Sequence, residues 1–198
     1  MRLFVALDID EAIRERIGGF VSELRTLAPN LRWVSTESLH ITLKFIGEQP
    51  ESKVSAIEAV MAKVSASSMR IRFCGCGFFP APKSARVFWI GVEAGAELAQ
   101  FSQQVEEALV PLGIEKEKRA FSPHLTLARG GGSGAPGRQQ TDRPNQDFVA
   151  IQKRLAGMPT LEFGTMTVRE FLLYRSQLSS QGSRYTKIAR FALSAEVT

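Results

Sequence analysis

Only two histidines occur among the 198 residues, His40 and His124. That excludes any multi-histidine metal centre and makes each imidazole worth locating. Cysteine is equally scarce. Cys74 and Cys76 stand one residue apart, poorly placed for a mutual disulfide and too few for a four-ligand zinc site. A reducing, cytoplasmic setting is therefore expected, with no metal and no cofactor. Long apolar runs are missing too: nothing approaches the roughly 20 residues of a membrane span. The opening MRLFVALDIDE ends its short apolar run in three acids, unlike a signal peptide. What remains is ordinary. A composition 44% hydrophobic and 23% charged speaks against disordered and fibrous classes.

The formal charge of +5 is unevenly spread. Residues 1–128 hold 15 basic and 15 acidic side chains, whereas residues 129–198 hold 10 and 5. The whole excess lies in the last third. This leans toward an anionic partner but proves none.

Periodicity predicts an alternation of strands and helices. Met1 to Leu7 reads as a buried strand. A helix follows Asp10, a candidate N-cap, with Ile13, Ile17, Phe20, Val21, Leu24 and Leu27 on one face. Short strands are expected at Leu31 to Ser35 and Leu39 to Ile46, then a helix from Glu51 to Ala66 and a strand from Met69 to Phe73. GCGFFPAPK reads as turn-rich. A strand at Arg86 to Val92, a helix at Glu97 to Leu112 and a strand at Pro123 to Ala128 come next. The Gly-rich stretch 130–145 reads as a flexible loop. A short helix at Phe148 to Leu155 and a hairpin of Leu161 to Leu173 with Arg184 to Leu193 complete the chain.

Shifted by 84 residues, the sequence matches itself. Arg2-Leu3-Phe4 falls on Arg86-Val87-Phe88, the first helix on the helix at Glu97, and Ser38-Leu39-His40-Ile41-Thr42-Leu43 on Ser122-Pro123-His124-Leu125-Thr126-Leu127. This reads as an internal duplication, giving one bilobal domain over residues 1–198.

Both histidines thus sit in one repeated tetrapeptide, His-[Ile/Leu]-Thr-Leu. In a strand, residues i and i+2 share a face, so His40 projects with Thr42 and His124 with Thr126. A two-fold arrangement of lobes would bring the two pairs together. Two imidazoles that titrate near pH 6.5 can divide the work of one base and one acid, while hydroxyls donate to phosphate oxygens. That suits breaking a phosphodiester, above all a strained cyclic one, without a metal. The competing readings are an RNA-end-binding module that never turns over and a purely structural pair of histidines. Arg129, five residues after His124, has the wrong parity for the site. It joins only if the strand ends or twists there; otherwise it is a solvated strand-end arginine.

These strings, with RLFVALDI, LHITLKFIGE, HLTLAR and LYRSQLSSQGSRYT, resemble the two-histidine phosphoesterase superfamily. The likeness is to its bacterial and archaeal RNA 2',3'-cyclic phosphodiesterases, also called 2'-5' RNA ligases. The resemblance implies an α+β fold of two pseudo-symmetric lobes, with antiparallel sheets flanking a central cleft and helices outside. It implies hydrolysis of an RNA terminal 2',3'-cyclic phosphate to a 2'-phosphomonoester, with His40 as proton donor and His124 as proton acceptor. Thr42 and Thr126 would hold phosphate oxygens. Arg129 would contact the phosphate or stack on a base, and Phe4 would touch the base or else be a buried strand residue. Ligation of 2',5'-linked ends and hydrolysis of small cyclic nucleotides are alternatives on the same site. The expected partners are RNA ends or small cyclic nucleotides and no membrane, with the protein a monomer.

Overall fold

The structure is a computed structural model, and it describes residues 1–130, 144–179 and 182–195. Nine strands and four α-helices occur among those residues. The first half holds β1 (Arg2–Asp8), α1 (Glu11–Leu27), β2 (Arg32–Trp33), β3 (His40–Glu48), α2 (Val54–Met61) and β4 (Met69–Phe79). The second holds β5 (Val87–Ala94), α3 (Ala96–Leu109), β6 (His124–Arg129), α4 (Gln146–Leu155), β7 (Glu162–Val168), β8 (Glu170–Ser179) and β9 (Gly182–Ala192).

The strands join in the order β7-β4-β5-β6-β3-β1-β8-β9, with β2 beside β6. Every strand pair in the sheet is antiparallel. The two expected sheets are thus two halves of one curled sheet. They meet at β3 and β6 through one registered pair, Ile41 with Leu125. The halves also exchange strands. β4 crosses to pair with β5, and β8 crosses back to pair with β1.

One face of the sheet is covered. Ile13, Ile17, Val21 and Leu24 of α1 share one core with Leu98, Phe101, Val105 and Leu109 of α3 and with Ile57, Met61, Phe148 and Ile151 of the shorter helices. They meet Leu3, Val5, Leu7, Ile41, Leu125, Phe88 and Ile90 from the sheet. Each such side chain contributes about 1.5–3 kcal/mol on leaving water. Asp10 does sit at the N-cap of α1, but its side chain makes no capping bond.

Several expected boundaries moved. β4 runs on through the predicted turn to Phe79, because Gly75 takes a positive φ of 62° and absorbs a bulge between Cys74 and Cys76. The single strand expected at Leu161 to Leu173 is two strands. β7 pairs with β4 and β8 with β1, so the chain changes halves at Arg169. The second helix ends at Met61, and the strand expected at Leu31 to Ser35 shrinks to Arg32–Trp33. The expected loop at 130–145 lies, beyond Gly130 and before Pro144, outside the described residues.

A buried lysine ties the halves together. Lys44 on β3 donates to Glu106 Oε1 of α3 at 2.9 Å and to the Glu115 carbonyl at 2.7 Å. Only 5% of its side chain is exposed, against 17% for Glu106. Removing one partner of such a pair strands the other charge. Lys44→Ala is therefore expected to lower unfolding free energy by about 3 kcal/mol, read from urea denaturation.

Candidate active site

The other face of the sheet, uncovered by helices among the described residues, carries the motif residues. Ile41 and Leu125 are paired and point into the core, so their neighbours point the other way. Counting one residue each way from that pair sets His40 across from Thr126 and Thr42 across from His124. Both histidines and both threonines are half-buried there.

Each imidazole is held alike. His40 Nδ1 donates to the Ser38 carbonyl at 2.7 Å, and His124 Nδ1 donates to the Ser122 carbonyl at 2.8 Å. A carbonyl can only accept, so Nδ1 carries the proton and Nε2 keeps its lone pair for the open side. Aromatic rings fix the imidazole planes. His40 lies 4.8 Å from Phe4 and 5.0 Å, edge to face, from Tyr185. His124 lies 4.9 Å, edge to face, from Phe79.

Burial lowers the pKa of His40 to about 4, and the charges of Arg129 and His124 push the same way, against the Ser38 bond and Asp8. Burial likewise lowers His124, and Arg129 adds to it, against the Ser122 bond. The charge of Arg129 thus lies close enough to bear on both rings.

A bulge explains how. Along β6, Thr126 pairs with Trp89 and Ala128 with Phe88, leaving Leu127 as an extra residue. The extra residue restores Arg129 to the face of His124 and Thr126. Strand β3 does the same 84 residues earlier. Thr42 pairs with Ala6 and Lys44 with Val5, leaving Leu43 as the extra residue. Both bulge carbonyls are satisfied, Leu43 by the Ser102 hydroxyl at 3.1 Å and Leu127 by the Val34 amide at 2.8 Å.

The second bulge turns Phe45 to the open face, at the place Arg129 holds in β6. Phe45 is 55% exposed. Sequence reasoning missed it, although its position 84 residues before Arg129 was a usable signal. Of the two readings of Phe4, its burial fits the strand residue. At 2% exposure it has almost no surface for a base. It forms a floor under His40, stacked on Tyr174 at 5.0 Å. Nor is Phe88 its counterpart, for Phe88 is buried in the core and the residue facing Arg129 is Val87.

The register also exposes an asymmetry. Asp8 is the partner of His40 on β1, whereas Gly91 is the partner of His124 on β5. A Cβ at Gly91 would stand 2.4 Å from the Cys74 carbonyl oxygen, so no side chain fits there. Burial works to raise the pKa of Asp8, but Lys187, the Ile9 amide and Arg14 outweigh it and keep it lowered, as a carboxylate. Arg14 Nη2 lies 2.7 Å from Asp8 Oδ1.

The basic excess is divided. Arg175, Arg184, Lys187 and Arg190 lie on β8 and β9, whereas Lys153 and Arg154 lie on α4. No cluster of three or more His, Cys, Asp or Glu able to hold a metal occurs among the described residues. No helix among them is long and apolar enough to cross a membrane.

A family profile described as the 2'-5' RNA ligase superfamily matches residues 10–156. The RNA 2',3'-cyclic phosphodiesterase of Archaeoglobus fulgidus is 37% identical over 191 residues, covering 96% of this chain and 99% of that protein. The protein of the same description from Methanothermobacter thermautotrophicus is 31% identical, covering 98% and 99%. Among solved structures, TT0787 of Thermus thermophilus superposes with a TM-score of 0.77 at 27% identity, covering 99% and 100%. LigT of E. coli complexed with 3'-AMP superposes at 0.75 and 26%, covering 97% of each chain.

Proposed function

Because the chain belongs to the 2'-5' RNA ligase superfamily, we propose that His40 and His124 open the 2',3'-cyclic phosphate of an RNA end. The observation that carries this is the pair of Nδ1-anchored imidazoles, each with Nε2 unbonded among the described residues, set between two threonines and one arginine. His124 Nε2 takes a proton from water as its oxygen attacks phosphorus. The P–O3' bond breaks, and His40 gives a proton to the departing O3'. A 2'-phosphomonoester remains. Asp8 beside His40, with only glycine beside His124, supports His40 as the donor.

Thr42 and Thr126 donate to the non-bridging oxygens, and Arg129 offsets their charge. Phe45 offers its exposed ring to the terminal base. The relatives' names and the 3'-AMP complex of LigT support this substrate class. The basic β8–β9 edge would follow the RNA backbone, making binding salt-sensitive. We read residues 1–198 as one bilobal unit born of duplication. It would act as a monomer in the reducing cytoplasm, where its two free cysteines stay thiols.

The test is end-group analysis after incubation with a 2',3'-cyclic-phosphate oligoribonucleotide in excess EDTA. A 2'-phosphate end is expected, since two imidazoles supply both proton transfers. A 3'-phosphate end would reverse the broken bond, and activity that needs added divalent metal would overturn the metal-free mechanism. A nucleoside 2',3'-cyclic monophosphate run in parallel separates RNA from small-nucleotide preference.

A further inference from the structure

Beside His124 lies an aromatic shelf that the hydrolytic mechanism uses only where the Phe79 ring sets the imidazole plane. Trp89 is the sheet partner of Thr126, so it stands on the same open face as the motif residues. The Phe79 ring lies 4.9 Å from the Trp89 ring and 4.9 Å from the His124 ring. Both aromatic residues are only half-buried. Gly77 makes the shelf possible: a Cβ there would lie 2.3 Å from the indole. In the first half the residue facing Thr42 is Ala6, so no indole stands at the matching position there.

The indole also carries an unexplained cost. Trp89 Nε1 is buried without a hydrogen-bond partner. A buried indole N–H is normally satisfied. Packing alone would be served as well by phenylalanine, which has no donor to strand.

The position suggests a use. His124 is the group that deprotonates the nucleophile, so the nucleophile enters on its side. When the nucleophile is water, a flat aromatic surface there has no task. When it is the 5'-hydroxyl of a second nucleoside, that nucleoside brings a base that must lie near His124. We propose that Trp89 and Phe79 form a stacking subsite for the nucleobase of an alcohol acceptor, and so set the balance between ligation and hydrolysis. The inference rests on the phosphodiesterase reading. The step balances: the O5' proton passes to His124 Nε2, the O5'–P bond forms, the P–O3' bond breaks, and His40 protonates O3'. A 2'-5' linkage results with nothing else consumed.

The experiment measures a ratio. A 2',3'-cyclic-phosphate oligoribonucleotide is incubated with millimolar adenosine, and adenosine-linked product is compared with 2'-phosphate product. Both products pass through His124, so any disturbance of that imidazole lowers them alike. Trp89→Ala and Phe79→Ala are expected to lower the ratio of linked to hydrolysed product by about five- to a hundredfold, the range of one lost base stack. An unchanged ratio in both variants overturns the subsite, as does hydrolysis without linked product in the unaltered protein. Tryptophan emission supplies a readout without turnover. Adenosine should quench the unaltered protein saturably and leave Trp89→Phe, which retains Trp33, unquenched. Equal quenching in both overturns the subsite. Loss of all turnover would instead contradict the phosphodiesterase reading, with the emission still deciding the shelf.

Discussion

Replacing either His40 or His124 with alanine is expected to slow cyclic-phosphate opening by about 10²–10⁴-fold, the usual share of one positioned acid or base. The two losses should not add. Once the proton acceptor is gone, the donor has no developing alkoxide to serve, so the double variant should be little worse than either single one. The backbone supports a clean comparison, because each imidazole hangs from a strand whose core-facing neighbours, Ile41 and Leu125, stay in place. His40 also packs on Phe4 and Tyr185, so its removal opens space. Thermal melting must therefore accompany the kinetics. Variants with lowered stability but full activity would identify a structural pair. Unchanged RNA binding with no activity in the unaltered protein would identify an end-binding module.

A second large shift is expected in the proton affinity of His40 on ligand binding. In the free protein its pKa is lowered to about 4, mainly by burial. A donor in that state is unprotonated at pH 7. A phosphate anion held by Arg129 and the two threonines would place negative charge beside both rings and favour the protonated forms. Titration of the imidazole resonances, free and with 2'-AMP, is expected to show His40 rising by about two pH units or more, a hundredfold in affinity. Absence of any rise would deny His40 the donor role.

The same low value makes stability depend on pH. An unfolded imidazole titrates near 6.5. Between 6.5 and about 4 the unfolded chain holds a proton on residue 40 that the folded chain lacks. Stability contributed by this group is therefore complete above 6.5 and declines as pH falls, by at most about 1.4 kcal/mol per unit. His124 is lowered as well and acts in the same direction.

The motif strands and the two long helices were legible because their patterns are local. His and Thr at i and i+2, or a stripe at helical spacing, can be read without knowing the neighbours. What escaped depended on pairing. Leu127 looks like an ordinary strand residue until β5 is laid beside it, and only then does Arg129 reach the open face. Phe45 escaped for the same reason, since its exposure follows from Leu43. Lys44, which as a strand lysine would ordinarily be solvated, is instead buried against Glu106, a partner 62 residues away. Phe4 matched Phe88 in sequence, yet the two rings occupy opposite faces, because β5 is aligned one residue differently from β1. The crossing at Arg169 coincides with the consecutive charged pair Arg169-Glu170, a break in the alternation that the single-strand reading ran through.

That crossing, with the earlier one at β4, decides how the molecule can come apart. The first half lends β4 and the second lends β8 and β9, so neither contains its own finished sheet. A fragment ending before β5 would keep β4 without its bonding neighbours and leave β1 with a bare edge. The histidine of one half therefore gains its setting only when the other half has been made, and the two motifs assemble in a single cooperative event or not at all.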